Sequence, residues 1–296
     1  MDKINRLFAG LMLLISGSIF AEDLVDSQSF LPPDPTQANW VFSGMVSNEN
    51  GDNYGYFFQM QREGEQFHTL AALFDAQTQQ VVLLDESEAL IHTHTPYSWQ
   101  VGRAFMRFNP INESFIFGLK TKDKKGFNFK VDRLRSSSET MPVVQNMRSG
   151  VELLITQTSR LNGHVQVGVD QKEQFVTAQN AWFRLIGITA QKEKPHPFTG
   201  VLCRFMDGEG FYSVNMVEPD VIRGAVAGFR DEQGESVPMS QFVQVSEDAN
   251  GSRHIRLTAP SFHVVLTPLM VQKSAVAGFF VAGKKSGFCA LSKVIL

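Results

Sequence analysis

The stretch Trp40-Val41-Phe42-Ser43-Gly44-Met45-Val46, and its return Tyr54-Gly55-Tyr56-Phe57-Phe58-Gln59-Met60 across Asn48-Glu49-Asn50-Gly51-Asp52-Asn53, decides the fold class. Trp40, Phe42, Gly44 and Val46 fall on one face, and Tyr54, Tyr56, Phe58 and Met60 share a face on the way back. A period of two is that of a β-strand with one side turned to a core. Asn-Gly between two alternating runs is the strongest short hairpin signal.

The same grammar runs outward in both directions. Residues 81–84, 104–108, 115–119 and 127–131 read as strands, with the Lys-rich 122–125 as a turn. Residues 151–155 and 164–169 bracket Asn162-Gly163 as a further hairpin, 135–139 reads as a loop, and 141–148 is the one segment that could form a short helix. Past the charged, proline-bearing connector 192–197, Asp207-Gly208, Gln233-Gly234, Asn250-Gly251 and Ser286-Gly287 punctuate short strands. Regular turn signals between short strands predict an all-β sandwich or barrel, and barrel closure removes exposed edges.

The opening hairpin recurs. At an offset of 156 residues, Phe42-Ser43-Gly44-Met45-Val46 matches Phe198-Thr199-Gly200-Val201-Leu202, and Tyr56, Phe58, Gln59 and Met60 match Tyr212, Val214, Asn215 and Met216. Similarity at a fixed spacing is the mark of duplication. Between the copies lies Asn180-Ala181-Trp182-Phe183-Arg184-Leu185-Ile186-Gly187.

Residues 1–21 have the form of a secretory signal: Lys3 and Arg6, an apolar run over 7–20, and Ile19-Phe20-Ala21 as a cleavage site. The run is shorter than a membrane span, so the expected product is exported, periplasmic or extracellular, without stable membrane insertion. Dropping Asp2, Lys3 and Arg6 from 27 basic and 30 acidic residues leaves 25 and 29. That balance lacks the basic footprint of a nucleic-acid binder. The expected organisation is a signal peptide (1–21), an extended lead-in (22–38) and two barrel domains (39–178 and 179–296), each large enough for its own core. In an oxidising compartment Cys203 and Cys289 favour a disulfide; the alternative is two buried thiols.

Three stretches resemble the AttH-like family, which includes the carotenoid 1,2-hydratases (hydroxyneurosporene synthases): Trp40 to Gly44 with Tyr54 to Phe58, Ala181-Trp182, and Met206-Asp207-Gly208 with Tyr212 to Met216. The resemblance spans essentially the whole chain after the signal and implies two tandem lipocalin-like antiparallel β-barrels with a ligand space in or between them. The family's central motif runs Trp-x-Asp-x-Glu-Trp. Here Trp182 keeps its place, while Arg184, Ile186 and Gly187 stand at the Asp, Glu and second Trp positions. Hydrating a double bond needs a proton donor of suitable pKa, which an arginine, charged at any physiological pH, cannot supply.

Trp40, Phe42, Tyr54, Tyr56 and Phe58, with Trp182, Arg184 and Tyr212, are the candidate ligand-binding residues. The aromatic face would either line a pocket for an apolar guest or plug the barrel with its own rings. Trp182 and Arg184, two residues apart, share a strand face and could grip a carboxylate or sulfate head group; the favoured alternative is an arginine stem covering the indole at the surface. His92 and His94 offer two imidazoles on one face, but two ligands fall short of a zinc site, and the sequence implies no metal or cofactor. Asp207 sits in a turn where carboxylates bond their own backbone, and His196 with Glu209 is the remaining acid/base pair. The leading function is a non-catalytic, exported binding protein for an apolar or amphipathic small molecule or a protein partner. The rival is a hydratase or hydrolase with a relocated acid.

Overall fold

The protein is seen in a computed structural model that describes residues 35–92, 97–132, 143–148, 150–158, 160–168, 172–188, 197–216, 225–233, 235–237, 239 and 243–296. The expected signal sequence, His94 and His196 lie outside these residues. Among the described residues every regular element is a strand, and no helix is long and apolar enough to cross a membrane.

The chain forms β1 (Gln37–Asn48), β2 (Asn53–Glu63), β3 (Gln66–Asp75), β4 (Gln80–Leu90), β5 (Ser98–Val101), β6 (Ala104–Asn109), β7 (Ser114–Lys120) and β8 (Gly126–Asp132). It continues through β9 (Val143–Arg148), β10 (Val151–Thr158), β11 (Arg160–Gln166), β12 (Gln174–Ala178) and β13 (Ala181–Ile188). These belong to one antiparallel sheet, ordered β4-β3-β2-β1-β12-β11-β8-β7-β6-β5. Because β5 returns against β3 and β4, the sheet rolls into a nearly closed barrel.

A second sheet holds β14 (Pro197–Phe205), β15 (Gly210–Met216), β16 (Ala225–Arg230), β17 (Ser236–Val237), β18 (Val243–Glu247), β19 (Arg253–Thr258), β20 (Ser261–Val271), β21 (Ala275–Ala282) and β22 (Lys285–Ile295). Its order, β17-β16-β15-β14-β22-β21-β20-β19-β18, makes a half-barrel. The architecture is two tandem lipocalin-like barrels.

The first sheet forks on β1. The end of β1 pairs with β12 at Ser47 and Asn48, while its earlier residues, Gln37 to Ser43, pair with β13. Strand β13 in turn pairs with β10, and β10 with β9. The stretch that the sequence set at the head of the second half is therefore bonded into the first sheet.

Alternation then assigns the faces. On β13, Ala181, Phe183 and Leu185 enter the first barrel, and Trp182, Ile186 and Ile188 face the second sheet. On β1, Trp40, Phe42 and Val46 point inward, and Val41 and Met45 point to the second sheet. The seam between the sheets is a core in its own right, where Val41, Phe57, Leu70 and Ile186 meet Phe198, Leu202, Val214, Ala277 and Phe288. Phe288 packs so closely on Gly55 that a Cβ there would lie 2.4 Å from its ring.

Local expectations were overturned at three places. Residues 143–148 are strand β9, not helix, because β10 offers them a full antiparallel edge. Asn162-Gly163 is no hairpin: it lies inside β11, where Gly163 passes so near Asn128 O that a Cβ would sit 2.1 Å from it. Ser286-Gly287 lies within β22, the turn being made by Gly283 at φ 63° and Lys284, between the paired Ala282 and Lys285.

The repeat survives in order but not in orientation. Both copies open a sheet with an antiparallel hairpin, β1-β2 and β14-β15. Yet Phe42 and Tyr56 face their own barrel, whereas Phe198 and Tyr212 face the seam. The second barrel is lined instead by the odd positions Val201, Cys203, Phe205 and Phe211. The face that turns into the barrel in the first copy therefore turns to the seam in the second, so the two like sequences line two different surfaces. Cys203 and Cys289, directly opposite each other on β14 and β22, are joined as a disulfide within that inner face.

Candidate functional site

The interior of the first barrel is filled by rings. Phe42 stacks on Phe117 at 4.1 Å and on Phe183 at 4.8 Å between centroids. Tyr56 meets Phe129 at 5.0 Å, Phe58 meets Phe117 at 5.1 Å, and Trp40 meets Trp99 at 5.4 Å. Offset and edge contacts of this kind add about 0.5–1.5 kcal/mol per pair beyond burial. Tyr56 is wholly buried and its hydroxyl pKa is raised by loss of solvent, with Arg204 opposing the shift. Tyr54 stands at a more polar end, 3.4 Å from Gln174 Oε1. Its pKa is raised by desolvation and then by Asp52 and Asp75.

Trp182 and Arg184 do share a face, and it is the seam. Trp182 Nε1 donates to Cys203 O across the seam at 2.9 Å, and its ring meets Tyr212 edge-on at 5.5 Å. Gly210 makes room, since a Cβ there would lie 3.0 Å from the indole. Tyr212, held in the seam, has its pKa raised by burial, with Arg230 opposing.

Arg184 departs from the surface-stem expectation, for it is 0% exposed. Its guanidinium crosses to the second sheet at Gly200, where Nη1 lies 2.1 Å from the position a Cβ would take. Nη1 donates to Ser292 Oγ at 2.8 Å and Nη2 to Asn39 Oδ1 at 2.6 Å. Burial pushes its pKa down to about 10, still above neutrality, so it is a buried cation. Among the described residues no carboxylate pairs with it. A buried charge deprived of its partner ordinarily costs about 3–5 kcal/mol.

Asn39, Gln59, Gly200 and Ser292 were missed from the sequence. The first two were in principle legible, because they fall on the odd face of the opening hairpin among Val41 and Phe57. Gly200 and Ser292 needed the register of β14 against β22, where they lie opposite each other.

The other candidates separate. His92 is exposed and bonded to Glu65 at 2.8 Å. Asp207 accepts from the backbone N–H of Glu209, as its turn predicts, and Lys285 Nζ reaches Asp207 at 2.9 Å and Glu209 at 2.7 Å. Asp207, Glu209 and Glu232 form an acidic cluster, and Lys285 brings it a counter-charge.

On the outer face of the first barrel lies an open trough of about 570 Å³. Gln100, Gly102, Arg103, Phe105, Arg107, Ile116, Lys120 and Asn128 line it. Register explains its shape. Phe105, Gly118 and Asn128 stand in one row across β6, β7 and β8. Gly118 leaves the floor low, with Phe105 Cζ 3.0 Å from where its Cβ would be. Arg107 and Ile116 form the row on one side and Lys120 closes the other, four residues along β7 or about 13 Å away. Arg103 meets Asp85 only at 3.9 Å, and among the described residues Arg107 and Lys120 have no ion-pair partner.

Two sheets packed through an apolar seam, one closed around rings and one half open, define a tandem lipocalin-like protein. Among the solved structures that share the fold are the following two. One is a candidate AttH from Nitrosomonas europaea, with 12% identity and a TM-score of 0.60 over 88% of this chain and 94% of that one. The other is kievitone hydratase from Nectria haematococca, with 12% identity and a TM-score of 0.58 over 90% and 91%. No protein-family model and no curated relative matches the chain. At this identity the likeness carries the AttH-like fold and not a function.

Proposed function

We propose that this chain is a non-catalytic, exported binding protein built on the AttH-like fold, and that its ligand is an amphipathic anion held in the outer trough of the first barrel. The observation that carries the reading is the pairing of two cations without an ion-pair partner among the described residues, Arg107 and Lys120, with the apolar floor of Phe105 and Ile116. A trough of this size suits a small organic molecule, and its open cations suit a negative head group. The barrel interior is occupied by its own rings, which favours an outer site. The central strand supports the non-catalytic part: it carries a buried guanidinium where a proton donor would be needed.

The test is to purify the protein from its native host without detergent, denature it, and analyse the organic extract by mass spectrometry. Near-stoichiometric recovery of an amphipathic anion is expected, and its loss from an R107E/K120E double variant. An extract holding only buffer components, or an unchanged ligand in the double variant, overturns the trough as the site. Incubating the recovered compound with fresh protein in isotopically labelled water tests catalysis: gain of one labelled water by the compound would establish a hydratase instead.

A further inference from the structure

We propose that the seam between the two sheets holds one small monovalent anion, of halide size, against Arg184, Asn39 and Gln59. This goes beyond the trough reading and rests on a different surface. The three side chains are neighbours by register. Val41 lies opposite Arg184 on one side and opposite Gln59 on the other, and Asn39 is the next residue along the same face of β1. All three are 0% exposed.

Their hydrogen-bonding inventory is donor-rich. Among the described residues Arg184 Nε, Asn39 Nδ2 and Gln59 Nε2 have no acceptor, and the trio offers only Gln59 Oε1 as a spare acceptor. The orientation of Asn39 is fixed by chemistry, because a guanidinium only donates and must meet the amide oxygen; its NH₂ is left over. Nε and Nη2 share one edge of the planar guanidinium, so the unpartnered Nε–H sits beside the atom that holds Asn39.

Three spare donors and a full positive charge ask for an acceptor that is itself negative. A water could take two of the donors but would leave the charge uncompensated, which is costly where the surroundings are apolar. The surroundings are Val41, Leu70, Ile186 and Phe198. A spherical monovalent ion accepts from several directions at once and cancels one charge. Low local dielectric strengthens that pairing.

The test has a crystallographic and a solution arm. Crystals grown or soaked in bromide are expected to show anomalous density between Arg184 and Gln59. Thermal unfolding at constant ionic strength is expected to rise as gluconate is replaced by chloride or bromide, because an ion that binds only the folded state stabilises it by mass action. Arg184→Met removes the halide dependence, and Gln59→Leu, a milder change that keeps the cation, shifts it to higher halide concentration. A seam holding water alone, a wild-type transition indifferent to halide, or an undiminished dependence in Arg184→Met each overturns the proposal. Loss of the trough ligand changes none of these readouts.

Discussion

Gly200 shows how one missing methyl group governs the seam. Its bare Cα is the port through which Arg184 reaches Ser292. Gly200→Ala therefore forces a buried, doubly bonded guanidinium to move, and overpacking of this kind costs about 1–3 kcal/mol. In an Arg184→Met background the alanine meets a side chain that can turn aside, so the penalty shrinks. Chemical denaturation of the two single variants and the double variant measures the coupling. Additive losses would mean that the guanidinium and the glycine are independent.

At the scale of elements, the outer part of the second sheet carries a chain of three hydrogen-bonded side chains, Asp248, His254 and His263. His254 Nε2 lies 3.1 Å from Asp248 Oδ2, and His254 Nδ1 lies 2.9 Å from His263 Nε2. The two rings are within 21° of parallel and stacked, with centroids 5.0 Å apart, so their contact ties β19 to β20. His263 has its pKa lowered from 6.5 by desolvation, then by His254 and Arg256. Asp248 has its pKa lowered from 3.8, first by the hydrogen bond from His254. On acidification the unfolded chain takes up the His263 proton before the folded one does. The stability tied to neutral His263 is thus complete above 6.5 and drains away below it. The share tied to Asp248 is present above 3.8 and is lost as pH falls through its lowered folded value. A His263→Gln variant is expected to show a flatter fall in unfolding midpoint between pH 6.5 and about 5 than the wild type. Equal slopes would assign the acid sensitivity elsewhere.

At the scale of the molecule, the shared seam makes two sheets one folding unit. Phe288 against Gly55, Trp182 bonded to Cys203 O, and Gln61 bonded to Ile295 O at 2.8 Å tie the sheets across their length. Reducing the Cys203–Cys289 disulfide, which spans 86 residues of sequence, removes about 2–5 kcal/mol by freeing the unfolded chain. Although both cysteines lie in the second sheet, calorimetry with and without reductant is expected to show a single transition that moves as a whole. Two separated transitions after reduction would show that the seam does not couple the barrels.

The sequence by itself determined that the chain is all β, that its opening hairpin turns at Asn50-Gly51, and that Trp182 and Arg184 share a face. These are local facts, set by a period of two and by turn chemistry. Which surface each face meets was decided only by tertiary structure. The same Phe-x-Gly pattern lines a barrel at Phe42 and a seam at Phe198, because sidedness depends on register against partners distant in sequence. Asn162-Gly163 reads as a turn and is a strand for a similar reason: backbone contact with β8, thirty-odd residues earlier, outweighs the local signal. Arg184 reads as a surface cation, since burying one is costly. Only the second sheet closing over it, through Gly200, made it interior.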